Sequence, residues 1–138
     1  MKKILIANRG EIAIRIARTC SDLGLKTVGI YSEDDVNSLH LSKVDEAHKI
    51  SDKGARAYLN IKEIINIARD CDVDAIHPGY GFLSENQNFA KNVRKEGLIF
   101  IGPDEKTLKS LGKKSLARDL AEKLGIPVIK GTNKKTSL

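Results

Sequence analysis

Short apolar runs alternate with helical patterns along the whole chain. Compact apolar runs are typical of strands that are buried on both faces of a sheet. Such runs occur at 3–7, 26–32, 73–77 and 98–102, with a weaker run at 46–50 and a further extended segment from 126. Apolar residues three and four positions apart predict helices. These patterns occur at 11–24, 60–71, 86–97, 103–112 and 113–125, with a short helical turn within 34–45.

Strands that alternate with helices indicate right-handed crossovers and a single parallel sheet with helices on both faces. The predicted fold is therefore an α/β, Rossmann-like, doubly wound domain. In such sheets, ligands bind beyond the carboxyl ends of the strands. The loops that begin at Asn8, Ser32, His77 and Gly102 therefore form the candidate functional edge.

Composition narrows the class of protein. The chain has 138 residues, of which 41% are hydrophobic and 30% are charged. No apolar run approaches the ~20 residues that span a membrane. The N-terminal apolar run stops at Asn8, too early for a signal peptide, so we expect a cytoplasmic protein. We expect Cys20 and Cys71 to be reduced, buried thiols, and the histidines show no zinc-like spacing, so no metal site is expected.

The net charge of +6 is concentrated near the C-terminus. Residues 106–138 hold nine basic and two acidic residues, a balance of +7, and residues 1–105 have a balance of −1. Charge alone favours a solvated lysine-rich face over a surface for a phosphate-rich ligand or nucleic acid. Aromatic residues make up only 4% of the chain, which weakens a single-stranded nucleic-acid interpretation.

The loop after the first strand contains one glycine, Gly10, and lacks the G-x-G-x-x-G pattern of dinucleotide-binding turns. Gly10 is compatible with a tight strand-to-helix turn, across which Arg9 and Glu11 can pair. Further along the predicted helix, Arg15, Arg18 and Asp22 recur at spacings of three and four and form one polar stripe. This stripe is either solvent-facing surface or a subunit contact.

The segment "HPGYGFLSEN" at 77–86 places a tyrosine between two glycines. Glycines allow a backbone to approach another surface closely, and Tyr80 then offers a flat ring with a hydrogen-bonding tip. Ser84 is a candidate cap for a helix that starts at Glu85. The alternative is that Tyr80 and Phe82 only plug the edge of the sheet.

The segment "LGKKSLARDL" at 111–120 places Lys113, Lys114 and Ser115 in the first turn of a predicted helix. Cations near a helix N-terminus oppose the helix dipole, so the placement indicates an anion held between the lysines and the free amides. The segment is not a P-loop, because G-x-x-x-x-G-K is absent.

Five segments, taken in order, resemble the N-terminal domain of biotin carboxylase, and the resemblance covers essentially the whole chain. They are "KILIANRGEIAIRIARTC", "AYLNI", "IHPGYGFLSEN", "FIGP" and "GKKSLARDLAEKLGIPVIKG". That enzyme is the ATP-dependent component of acetyl-CoA, pyruvate and propionyl-CoA carboxylases, in the wider ATP-grasp superfamily. In the family reaction, ATP activates bicarbonate to carboxyphosphate, and CO2 passes to a ureido nitrogen of biotin on a carrier protein.

The resemblance implies roles for individual residues. Lys114 matches the lysine that contacts ATP on its phosphate side. Tyr80, flanked by Gly79 and Gly81, matches a residue that lines the biotin pocket, and His77 and Glu85 are candidate supports for that loop.

The polar stripe matches the family's dimer contact. It comprises Arg15, Arg18 and Asp22, and many relatives carry Glu in place of Asp22. The shorter acid is a conservative departure that is expected to weaken the pairing.

The resemblance also implies what this segment does not supply. The family's glycine-rich lid, magnesium-holding glutamates and bicarbonate-binding arginine come later than the region matched here. We therefore expect 1–112 to be the Rossmann-like pre-ATP-grasp domain and 113–138 to begin the connection to an ATP-grasp domain. The expected contribution is one wall of the site, with no catalytic residue and no carboxylation by this segment alone.

The complete enzyme would use ATP, magnesium and carrier-bound biotin, and none of these is expected to bind tightly to this segment. Its expected partners are the biotin carboxyl carrier protein, a carboxyltransferase and a second copy of itself. The final carboxyl acceptor is left open. The alternative function is a stand-alone nucleotide-binding or dimerisation module.

Overall fold

The computed structural model describes residues 1–129, in which five strands form one sheet. The strands are β1 (Lys3–Ile6), β2 (Lys26–Tyr31), β3 (Glu46–Lys49), β4 (Ala75–His77) and β5 (Ile99–Phe100). Their order is β3-β2-β1-β4-β5, and every neighbouring pair is parallel. The predicted parallel, doubly wound sheet is confirmed.

Within residues 1–129, six α-helices connect or follow the strands. They are α1 (Gly10–Asp22), α2 (Gly54–Ala57), α3 (Ile61–Asp70), α4 (Gln87–Lys95), α5 (Glu105–Leu111) and α6 (Lys114–Lys123). The short helical turn expected within 34–45 is present as two 3-10 segments, Glu33–Asp35 and Leu39–Lys43. The single turn of α2 was not predicted, because one helical turn is too short to show an apolar period.

Two helix starts were predicted, with different outcomes. The side chain of Asn60 accepts a hydrogen bond from the amide of Glu63 and caps α3, as predicted. The prediction that Ser84 caps a helix starting at Glu85 was wrong. Asn86 is the cap instead, because its side chain accepts from the amides of Asn88 and Phe89, two and three residues on.

Both faces of the sheet are covered, because side chains alternate across each strand. Leu5 and Ile76 point into the larger apolar core, which includes buried residues of α3 and α4. Ile4 and Ile6 point to the other face, where α1 packs through buried residues such as Ala17. The prediction of helices on both faces is confirmed.

Cys20 and Cys71 are both free and buried, as predicted. Residues 126–129 form no strand, and the remainder of the predicted extended segment lies outside the described residues. Within the described part of the chain, no helix has the length and apolar character that a membrane crossing requires.

The strand order places the sheet's topological switch point between β1 and β4. The chain moves outward from β1 through β2 to β3, and then returns to the other side of β1 for β4 and β5. Loops on either side of such a point diverge and leave a crevice for a ligand. The two loops at this crevice begin at Ala7 and at Pro78.

Candidate functional site

A buried asparagine joins the two loops at the switch point. Asn8 is 2% exposed and follows β1. Its Nδ2 donates hydrogen bonds to the carbonyl oxygens of Pro78 and Tyr80, each at 2.9 Å. Its Oδ1 accepts from the amide of Arg9 at 2.9 Å. One side chain therefore fixes the backbone on both sides of Gly79.

We call residues Pro78–Phe82 the glycine loop. Gly79 has a φ of 68°, and a Cβ at this position would lie 2.5 Å from Nδ2 of Asn8. The position therefore requires glycine for its backbone conformation and for the close approach of Asn8. Gly81 has the same φ of 68°, but among the described residues no atom beyond its chain neighbours lies within 4 Å of its Cβ position, so only its conformation requires glycine.

The two aromatic rings of this loop point to different environments. The ring of Phe82 lies 5.2 Å from that of the buried Tyr58, between centroids, and is tilted by 33°. Tyr80 is 78% exposed. Phe82 therefore anchors the loop, and Tyr80 is displayed at the carboxyl edge of the sheet rather than packed as a plug.

The anchor for Phe82 is part of a polar network. The hydroxyl of Tyr58 donates to Oδ2 of Asp35 at 2.7 Å, and Ser32 Oγ donates to the same oxygen at 3.1 Å. Arg9 Nη1 lies 3.0 Å from that oxygen, so Arg9 pairs with Asp35. The pairing of Arg9 with Glu11 that the sequence had indicated is not formed among the described side chains. Burial, together with the bond to Asp35, raises the pKa of Tyr58 to about 12, so its hydroxyl stays protonated and remains a donor.

The two candidate supports of the loop have different surroundings. Nδ1 of His77 accepts a hydrogen bond from the amide of Gly79 at 3.0 Å, so this nitrogen carries no proton. Burial lowers the pKa of His77, which favours the same neutral form. Glu85 is exposed, and its backbone carbonyl lies near Gly112, since a Cβ there would be 3.9 Å from that oxygen.

That approach brings the start of α6 close to the end of the 77–86 segment. Lys113, Lys114 and Ser115 are all exposed. Lys113 occupies the cap position without a side-chain hydrogen bond to the helix, and the first turn contains no acidic residue. The free amides and two ammonium groups therefore form a positive helix terminus that is accessible to an anion.

The polar stripe lies on the exposed side of α1. Arg15, Arg18 and Asp22 are all exposed, and none of them forms an ion pair within the described residues. Arg15 borders a shallow, mainly apolar cleft of about 320 Å³ that also includes Ile16 and Leu23. An exposed charged stripe beside apolar side chains is typical of a protein contact surface.

Sequence patterns missed two groups of functional interest. The sequence analysis placed Asn8 on the candidate functional edge but gave its side chain no partner, although an amide at a strand end could have indicated a partner across the sheet. A second group, Glu46, His48 and Cys71, lies at the opposite edge of the sheet. Its only sequence signal is the spacing of Glu46 and His48, which places both on one face of β3.

Comparison with known proteins decides the family. The model for the biotin carboxylase N-terminal domain matches residues 1–108, which include β1, the glycine loop and α4. The chain belongs to the biotin carboxylase N-terminal domain family. The family expectation drawn from the sequence segments is therefore confirmed.

Individual relatives agree with this assignment. The pyruvate carboxylase of Bacillus subtilis is 53% identical over 135 residues, which cover 96% of this chain and 12% of that enzyme. The biotin carboxylase domain of a single-chain bacterial carboxylase superposes with a TM-score of 0.94 at 48% identity, over 100% of this chain and 32% of that one. This chain thus spans about an eighth of the curated pyruvate carboxylase.

A third relative was solved with ligands. It is the biotin carboxylase domain dimer of the Hydrogenobacter thermophilus 2-oxoglutarate carboxylase, in complex with MgADP, ADP and bicarbonate. It superposes with a TM-score of 0.93 at 41% identity, over 96% of this chain and 29% of that chain.

Proposed function

We propose that this chain forms one wall of a biotin carboxylase active site, in which ATP and bicarbonate are used to carboxylate carrier-bound biotin. The observation that carries the proposal is the pair of hydrogen bonds from Asn8 to the carbonyl oxygens of Pro78 and Tyr80, which we call the lock on the glycine loop. That lock holds an exposed tyrosine at the switch point of the sheet, where ligands of such folds bind. The catalytic groups that act on the reacting atoms belong to other parts of the enzyme.

On the biotin side, the proposed role of this chain is to position a planar surface. The ureido ring of biotin is flat and polar at its edge, and a tyrosine matches it with a flat face and a hydroxyl. Tyr80 is available for this contact because Phe82 carries the anchoring. Gly79 and Gly81 allow the backbone to reverse direction on either side of Tyr80 without a side chain in the pocket. His77 supports the loop as a neutral acceptor.

On the nucleotide side, the start of α6 fits a phosphate group. Lys114 begins the helix, Lys113 supplies no side-chain cap to the first amides, and the first turn has no carboxylate to repel an anion. ATP, when bound, supplies the phosphoryl group that activates bicarbonate. The role we assign to Lys114 is to hold a phosphate oxygen. The approach of Gly112 to Glu85, three residues beyond the glycine loop, supports a location for that contact on the same side of the site as Tyr80.

Partners follow from the same proposal. We infer that the stripe on α1 contributes to a homodimer. The dimeric state of the 2-oxoglutarate carboxylase domain supports this inference. A biotin carboxyl carrier protein and a carboxyltransferase would complete the enzyme, and relatives that act on pyruvate and on 2-oxoglutarate leave the final acceptor open. The cytoplasmic location and the division at residue 112 remain predictions.

A domain exchange tests the proposal. The matching 135-residue segment of the Bacillus subtilis pyruvate carboxylase is replaced by this chain, and pyruvate-dependent ATP hydrolysis is measured. If this chain supplies the proposed wall, the chimera shows pyruvate-dependent ATP hydrolysis only when biotin is attached to its carrier domain. A folded chimera without biotin-dependent turnover would contradict the proposal.

The chain alone provides the control against the alternative function. One wall of a site should bind ATP weakly in a calorimetric titration. Tight ATP binding by the chain alone, together with an inactive chimera, would instead identify a stand-alone nucleotide-binding module.

A further inference from the structure

A cluster of three metal-ligating side chains lies at the amino edge of the sheet, opposite the glycine loop. Glu46 and His48 point to the same side of the edge strand β3, and Cys71 follows α3. Their ligand atoms all lie within 4.8 Å of one another. The strand topology therefore assembles sulfur, nitrogen and oxygen donors from residues that are distant along the chain.

The sulfur and the carboxylate oxygen both lie close to one imidazole nitrogen. His48 Nε2 lies 3.2 Å from Sγ of Cys71 and 3.8 Å from Oε2 of Glu46. A single ring nitrogen can satisfy only one of these neighbours by a hydrogen bond. In a tetrahedral zinc site, bond lengths imply separations of about 3.6 Å between sulfur and nitrogen and about 3.4 Å between nitrogen and oxygen. The observed separations need only small rotamer changes to reach those values.

A fourth residue already orients the carboxylate. Lys3 Nζ lies 2.7 Å from Oε1 of Glu46 and donates to the carbonyl oxygen of Cys71 at 2.8 Å. The other carboxylate oxygen, Oε2, is the one that faces His48. Lys3 therefore acts as an outer hydrogen-bond partner of the kind that fixes metal-ligating carboxylates.

The site combines a buried thiol with an open side. Cys71 is 8% exposed, whereas the side chains of His48 and Glu46 are 41% and 46% exposed. An ion can therefore enter from solvent and retain a water in its fourth position. Mixed sulfur, nitrogen and oxygen donors suit zinc and its analogues rather than magnesium or calcium.

We propose that Glu46, His48 and Cys71 bind a divalent transition metal of the zinc class, with one coordination position left to solvent. On binding, the thiol proton of Cys71 passes to the buffer and the sulfur ligates as thiolate. The ion ties the edge strand β3 to the end of α3. It lies away from the biotin and ATP edge, so the proposal is independent of the proposed function.

Cobalt(II) titration of the reduced 138-residue chain tests the site. Tetrahedral Co²⁺ with a thiolate ligand gives a sulfur-to-metal charge-transfer band and intense visible bands. We expect both to saturate at one ion per chain, to disappear when Zn²⁺ is added, and to accompany the release of about one proton per ion. Zn²⁺ should raise the melting temperature of the chain, and a chelator should reverse the rise.

Matched variants locate the ligands. Cys71→Ser should abolish the charge-transfer band, whereas Cys20→Ser, at the other buried cysteine, should leave it unchanged. His48→Gln and Glu46→Gln alter more exposed side chains, so these variants should fold and their metal affinity can be measured. Loss of an outer partner already weakens metal sites by about 10–100-fold, so each of these variants should weaken Zn²⁺ binding at least about tenfold.

Several results would overturn the proposal. They are a folded wild-type chain without the charge-transfer band, a band that survives Cys71→Ser, and a band lost equally in Cys20→Ser. Unchanged Zn²⁺ affinity in both His48→Gln and Glu46→Gln would show that the cluster is only a hydrogen-bonded contact.

Discussion

The lock on the glycine loop can be tested by adding one methyl group. Gly79→Ala introduces a Cβ 2.5 Å from Nδ2 of Asn8, at a backbone φ of 68°. Because Asn8 is buried and holds two carbonyls, it must move and release those hydrogen bonds. Gly81→Ala is the matched control, since its φ is also 68° and, in the part of the chain that the structure describes, only its chain neighbours lie within 4 Å of the new Cβ.

The two variants share one cost and differ in another. Left-handed backbone at a residue with a Cβ costs roughly 1–2 kcal/mol, and both variants incur it. Only Gly79→Ala also disturbs Asn8, where two hydrogen bonds are each worth about 1 kcal/mol and a buried amide is left without partners. We therefore expect Gly79→Ala to lower the free energy of unfolding by about 1–3 kcal/mol more than Gly81→Ala.

Urea unfolding of the 138-residue chain, followed by circular dichroism, measures this difference. An Asn8→Gly background also removes the Cβ of residue 8, which would lie 2.9 Å from the new Cβ. In that background the same substitution should cost only the backbone penalty, so the two sites should show a coupling of about 0.5–3 kcal/mol. The proposed lock would be refuted if Gly79→Ala and Gly81→Ala lowered the free energy of unfolding equally, or if the Gly79 substitution showed no energetic coupling to residue 8.

Three further predictions concern other contacts. Burial lowers the pKa of His77, so the unfolded chain takes up its proton first. Stability should therefore fall as the pH drops below the ordinary pKa of about 6.5, and His77→Gln should flatten this part of a melting-temperature profile. Tyr58→Phe removes a donor to a buried carboxylate and should cost about 1.5–3 kcal/mol in urea unfolding; an unchanged midpoint would contradict this. Arg15→Glu combined with Arg18→Glu, tested by sedimentation after grafting this chain onto the dimeric 2-oxoglutarate carboxylase domain, should weaken the dimer by about tenfold or more. Arg56→Glu, on α2, should not weaken that dimer, and equal effects would exclude the α1 stripe as the contact.

The sequence predicted the layered architecture because the signals for it are local. Runs such as 4–7 are continuous and apolar because their strands are buried on both faces. The apolar stripe of α3 arises because one face of that helix packs on the core. Turn chemistry also allowed Asn60 to be identified as a cap. The same reasoning failed at Ser84, because Ser84 and Asn86 both suit a cap. The backbone at Ser84 is held in a turn by the bond from its amide to the carbonyl oxygen of Gly81, so the helix begins only after Asn86.

Contacts between distant segments could not be read from the sequence. Asn8 and Tyr80 are joined only after the sheet places β1 beside β4. Arg9 pairs with Asp35 rather than with the nearby Glu11. Asp35 is buried and accepts hydrogen bonds from the hydroxyls of Tyr58 and Ser32, so its carboxylate is less solvated than that of the exposed Glu11.

The metal-ligating cluster was missed for the same reason. Cys71 lies 23 positions from His48, and only the strand topology brings their side chains within 3.2 Å.

The most direct test of the central claim is a crossed kinetic measurement in the chimera prepared without carrier-bound biotin, with ATP hydrolysis driven by added free biotin. Tyr80→Ala should raise the KM for biotin and leave the KM for ATP unchanged, with Tyr80→Phe in between. Lys114→Ala should raise the KM for ATP only, whereas Lys109→Ala, at an exposed lysine on α5, should change neither. Unchanged KM values in both Tyr80→Ala and Lys114→Ala would contradict the claim that this chain forms the wall shared by the two substrates.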